Sequence, residues 1–165
     1  MKKIILSTLF LLTGIIAFCQ TQRIPSVTIT DLDGGGTDIS TLVGNGKITV
    51  IDFWATWCVP CKKELTNIAE YYDEWQKKYN MQLIAVSIDD SRNASKVKPY
   101  VDGSAWTYKV LIDENGDLKR ALNFQAVPYV IVVDADGNIV ETHNGYVDGD
   151  EFLLEDTLKK LSGAN

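Results

Sequence analysis

A chain of 165 residues, 45% hydrophobic and 23% charged, suits one globular domain with a substantial core and leaves little room for a second independent one. Its formal net charge of −6 excludes the strongly basic surface on which nucleic-acid binding depends. No block of like charge stands out, so the acidic balance reads as a solvated surface.

Lys2 and Lys3 precede an uncharged, mostly apolar stretch from Ile4 to Phe18, the pattern of a secretory signal. The stretch falls short of the roughly 20 apolar residues that span a bilayer comfortably. Ala17 and Cys19 are small residues placed for cleavage before Gln20. The expected organisation is therefore a signal peptide over 1–19 and one domain over 20–165, exported to the cell envelope or periplasm and soluble after cleavage. A retained membrane anchor and lipidation of Cys19 are the alternatives, the latter opposed by the bulky Phe18 before it. Once Cys19 is removed, Cys58 and Cys61 are what remains of the three cysteines.

Ile24 to Ile29 alternates apolar and polar residues and runs into Asp31-Leu32-Asp33-Gly34-Gly35-Gly36, a strand followed by a turn. The glycines lack the Lys-Ser/Thr of a phosphate loop. Lys47 to Trp54 is a nearly continuous apolar run, as in a central strand covered on both faces. Pro60 suits the first turn of a helix, and Leu65, Ile68, Ala69, Tyr72, Trp75 and Tyr79 then recur at helical spacing. Met81 to Ile88 predicts a second buried strand, Asn93 to Val101 a polar helix, Val110 to Ile112 a short strand and Leu118 to Leu122 a short helix. Val127 to Val133 and Ile139 to His143 flank a glycine-containing turn, the signature of a hairpin. Glu151 to Leu161 closes the chain as an amphipathic helix. This order predicts an α/β fold with a mixed central sheet and helices on both faces.

Chemistry concentrates at Trp57-Cys58-Val59-Pro60-Cys61, where the central strand hands over to a helix. Residues i and i+3 share one helix face, so the two sulfurs can close a small disulfide. The first sulfur lies at the helix N-terminus, where free N–H groups and the macrodipole favour a thiolate. A bridge enclosing only Val59 and Pro60 would restrict the unfolded chain little, so thiol-disulfide exchange explains the pair better than stapling. Asp52 is unusual in an apolar central strand: burial disfavours its charged form and pushes its pKa upward. Glu64 reads as a helix surface charge, Trp57 as a flank of Cys58 that shapes partner contact, and Trp54 as packing.

Asp52-Phe53-Trp54-Ala55-Thr56-Trp57-Cys58-Val59-Pro60-Cys61-Lys62 together with Ala126-Val127-Pro128-Tyr129-Val130 resembles the thioredoxin superfamily, and more narrowly the exported TlpA/ResA-like thiol-disulfide oxidoreductases. The resemblance covers about Ile24 to Leu161. It implies a thioredoxin-like fold, Cys58 as the exposed attacking thiol and Cys61 as the buried resolving thiol. It also implies that Pro128 is cis, that the backbone of Val127 pairs with a bound peptide, and that Asp52 takes the proton of Cys61. No bound cofactor or metal is implied, the redox group being the Cys58/Cys61 pair itself. Implied partners are protein dithiols or disulfides, such as cytochrome c haem-site cysteines, and a membrane thiol electron donor. This chain departs from many envelope relatives in having Thr66 where they have Pro, and Asp52 where they have an uncharged residue. Val59 and Pro60 between the cysteines supply no cationic neighbour, which favours a reductant over a strong oxidant.

Two other activities fit the fold. A copper metallochaperone would use both thiolates, with His143 as a further ligand, but the segment Glu141 to Gly145 reads as a strand end with a solvated histidine. A peroxidase resembling others of this fold would need a proline shortly before Cys58 and an activating arginine. No such proline is present, and Arg92 and Arg120 stand in polar segments, so negligible peroxide turnover is expected.

Overall fold

The computed structural model describes residues 22–164. The expected signal peptide, its cleavage site and Cys19 lie outside these residues. Seven strands form one mixed sheet: β1 (Thr28–Asp31), β2 (Gly36–Asp38), β3 (Ile48–Trp54), β4 (Met81–Ser87), β5 (Lys109–Ile112), β6 (Tyr129–Val133) and β7 (Ile139–Asn144). Their order across the sheet is β2-β1-β5-β4-β3-β6-β7. Four helices accompany them: α1 (Val59–Tyr79), α2 (Val97–Ser104), α3 (Asp117–Leu122) and α4 (Asp150–Ser162). This is the expected α/β arrangement, with parallel β3–β4 and β4–β5 pairs and antiparallel β3–β6 and β6–β7 pairs.

Every residue of β3 is buried, which explains the unbroken apolar run. Alternation along this strand separates two cores. Val50 and Trp54 point to one face with Cys61, Leu65, Ile68 and Trp75 of α1, Val97 and Val101 of α2, and Leu158 of α4. Ile51 and Phe53 point to the other face with Leu118 and Leu122 of α3. Asp52 shares the parity of Val50 and Trp54 and so faces the α1 side. Tyr79 at the end of α1 donates a 2.6 Å hydrogen bond to Glu155 of α4, tying together the two helices on that face.

Element ends differ from expectation where local chemistry intervenes. The first ladder begins at Thr28 rather than Ile24. Pro25 has no N–H to contribute, although Ile24 and Ile29 still enter the core. The predicted polar helix starts as a short tight turn over Ala94–Lys96 and becomes α-helical only at Val97. The β6–β7 hairpin turns through Gly137 at φ +91°, a conformation that strains any residue with a Cβ.

Candidate redox site at the start of α1

Cys58 is the N-cap of α1, and its extended backbone turns the chain out of the active-site loop. Pro60 occupies the first turn, where its missing N–H leaves no partner unsatisfied. Cys58 and Cys61 are joined as a disulfide with Cα atoms 5.4 Å apart. The backbone N–H of Cys61 points at Cys58 Sγ across 3.4 Å, so on reduction a negative sulfur would find a donor already in place.

Access is unequal. Cys61 is fully buried and Cys58 retains 4% of its surface. Cys58, which the resemblance makes the exposed attacking thiol, is therefore less open in the disulfide than expected. Trp57 and Val59, 60% and 70% exposed, form an apolar surface on either side of it. On the far side, the Val127–Pro128 bond is cis and the Val127 carbonyl oxygen lies 3.8 Å from Cys58 Sγ. The fold thus brings Cys58, Cys61, Trp57, Val127 and Pro128 together from two segments far apart in sequence.

The loop before Cys58 is held by a residue that sequence reasoning passed over. Asp89, fully buried just beyond β4, accepts hydrogen bonds from the Thr56 N–H (2.8 Å), the Thr56 hydroxyl (2.7 Å) and the Ser87 hydroxyl (2.7 Å). Its place at the end of a buried parallel strand next to the motif strand was the available signal.

On the α1 side of β3, Asp52 is completely buried and neither carboxyl oxygen has a hydrogen-bond partner. Burial raises its pKa well above the usual carboxylate range, and the charge of Glu64 adds to the rise. Glu64 corrects the sequence reading. It is no surface charge but is 4% exposed, with Oε2 unpartnered. Burial, followed by the charges of Asp150 and Glu151, pushes its pKa up to about 8. The signal lay in the spacing: Glu64 follows Cys61 by three residues and precedes Ile68 by four, which places it within the buried stripe. Two interior carboxyls without a cation cannot both ionise cheaply, so the pair is a store for a proton.

The remaining candidates stand apart from the sulfurs. Trp54 packs in the core against Tyr100 and Trp106. Arg92 is engaged by Asp90, and Arg120 by Asp117. His143 is 44% exposed on β7, with Nε2 3.4 Å from Asp150. Among the described residues, no group of three or more His, Cys, Asp or Glu side chains is arranged to hold a metal ion.

The AhpC/TSA family profile matches residues 21–142. The chain is similar to thiol-disulfide oxidoreductase ResA of Bacillus anthracis, 30% identical over 86% of this chain and 78% of the relative. It is similar also to sporulation thiol-disulfide oxidoreductase A of Bacillus subtilis, 29% identical over 67% of this chain and 66% of the relative. Among solved structures, a thioredoxin-like protein from Porphyromonas gingivalis superposes with a TM-score of 0.76 and 44% identity, covering 85% of this chain and 92% of the other. Sequence, fold and dithiol agree: the chain belongs to the AhpC/TSA family and is a thioredoxin-like thiol-disulfide oxidoreductase.

Proposed function

We propose that the protein is an exported reductant of protein disulfides in the cell envelope. The carrying observation is the Cys58–Cys61 pair at the start of α1, with a backbone donor aimed at the first sulfur and the Val127 carbonyl beside it. In this reading Cys58 thiolate attacks a partner disulfide, the partner's first sulfur leaves, and a mixed disulfide forms. Trp57 and Val59 give the partner an apolar seat, while the backbone of Val127 pairs with its extended chain.

Cys61 then resolves the mixed disulfide. Its proton passes to the Asp52/Glu64 pair, its sulfur bonds to Cys58, and the partner leaves as a thiolate with the electron pair of the broken bond. The proton-accepting role of Asp52 rests on its burial in β3 on the face toward α1, and Glu64 joins it because its charge raises the pKa of Asp52. Electrons return from a membrane thiol donor. Cytochrome c haem-site cysteines are the proposed substrate, on the resemblance to envelope reductants.

The test uses a disulfide-bonded peptide carrying two cysteines three apart followed by histidine. The reduced protein should open this disulfide stoichiometrically, and C58S should abolish the reaction. Failure to reduce the peptide while small disulfides still react would reject this substrate class.

A further inference from the structure

A half-enclosed cavity of about 30 Å³ lies between α1, the β6–β7 hairpin and the start of α4. Its walls include Glu64, Val130, Glu141, His143, Asp150 and Glu151. That volume holds about one water molecule, and the walls offer the polar partners such a water needs. Trp57, Cys58, Val59, Val127 and Pro128 take no part in the lining. The cavity is thus separate from the dithiol surface.

Strand register connects it to the buried acid. Asp52 pairs with Val130, and Val130 pairs with His143, so the three residues form one row on the same face of β3, β6 and β7. Glu64 of α1 lies over this row with Oε2 buried and unpartnered, and it lines the cavity. At the edge, His143 is exposed, with Nε2 3.4 Å from the Asp150 carboxylate, which also accepts from the Val147 N–H. The other groups near Glu64 are already engaged. Glu151 accepts from the Tyr146 hydroxyl, which itself accepts from Asn67, and Lys63 pairs with Asp148. β6 contributes only the valines. From β7, Glu141 accepts from Thr157. Tyr108, just before β5, donates to the Leu65 carbonyl.

We propose that this cavity is a lateral proton port, through which His143, steadied by Asp150, exchanges with solvent the proton that Cys61 surrenders to the buried carboxyls. The inference rests on the exchange mechanism proposed above. An extended partner seated on Trp57, Val59 and Val127 shuts water away from the front of the site during resolution. A route at the β7 edge stays open then. The step balances: Cys61 loses a proton, the new Cys58–Cys61 bond replaces the Cys58–partner bond, the partner carries off the electron pair, and the proton reaches bulk water by way of Glu64 and the imidazole.

The port predicts a substrate-size dependence that a structural role for His143 does not. H143Q is compared with wild type by rapid acid quench and mass spectrometry of mixed disulfides. The probes are hydroxyethyl disulfide, which leaves the front wet, and the symmetrical disulfide of an extended peptide with one central cysteine, which covers it. Expected in H143Q is resolution slowed about tenfold near neutral pH with the peptide alone. The first step and the small-probe reaction should be unchanged, and added imidazole should restore the lost rate. Equal slowing with both probes, or no slowing with the peptide, overturns the port. A wild-type protein that reacts with neither probe overturns the exchange reading as well.

Discussion

Glu64 makes the stability of the protein depend on pH in a direction opposite to ordinary acid unfolding. Its carboxyl is held up to about 8 in the folded chain against an ordinary 4.5. Between those values the folded state keeps a proton that the unfolded state has released, so stability is fully present below about 4.5 and is lost as pH rises through about 8. A displacement from 4.5 to about 8 corresponds to at most about 5 kcal/mol. That is comparable to the whole stability of a modest domain, roughly 5–15 kcal/mol. The oxidised protein is the right sample, because its two active-site cysteines are disulfide-bonded and do not titrate. Urea unfolding followed by tryptophan fluorescence at about pH 5, 7 and 9 should show wild type losing several kcal/mol across the range, on the order of the linkage figure. E64Q keeps the volume without the charge and should remove the Glu64 share of this slope, and D52N the share that comes from Asp52. Parallel pH profiles for wild type and E64Q would mean that Glu64 ionises freely in the folded protein, and the buried-pair argument would fail.

Other consequences are more local. C61S should accumulate the mixed disulfide with a peptide disulfide, while C58S should form none, as mass spectrometry without reductant will show. D52N should slow resolution about 10²-fold near neutrality and flatten its pH dependence, the usual scale for losing a general base. An unchanged rate across pH would remove Asp52 from the proton path. D89A leaves the Thr56 N–H and two hydroxyls without their acceptor. It should cost about 2–4 kcal/mol in urea unfolding, with stability unchanged counting against the anchoring role. Peroxide consumption by the reduced protein should not exceed that of C58S, and faster wild-type turnover would restore the peroxidase reading.

The parts legible in sequence were those whose signals are local. The apolar run of β3, the Pro60 start of α1, the glycine turn between β6 and β7 and the stripe of α4 each state their own structure over a few residues. The dithiol was legible for the same reason, since its chemistry needs only two cysteines and a helix start. Glu64 was not, because a carboxylate on a helix is usually solvated. What buries it is the β6–β7 hairpin and α4, which follow by more than sixty residues in the chain. Asp89 escaped because its partners, Thr56 and Ser87, meet only when β3 and β4 pair in parallel. His143 was correctly placed at an exposed strand end, yet its alignment with Asp52 through Val130 depends on register, which single-strand patterns do not encode.

The central claim is that Cys58 and Cys61 form a reversible couple poised to reduce other disulfides. Its most direct test is the equilibrium reduction potential of the Cys58/Cys61 pair, read from tryptophan fluorescence in defined thiol-disulfide buffers. The account predicts a reversible two-electron transition near the ~−270 mV of thioredoxin. A transition at about −120 to −180 mV would contradict the reductant assignment, and the absence of any reversible transition would contradict thiol-disulfide exchange itself.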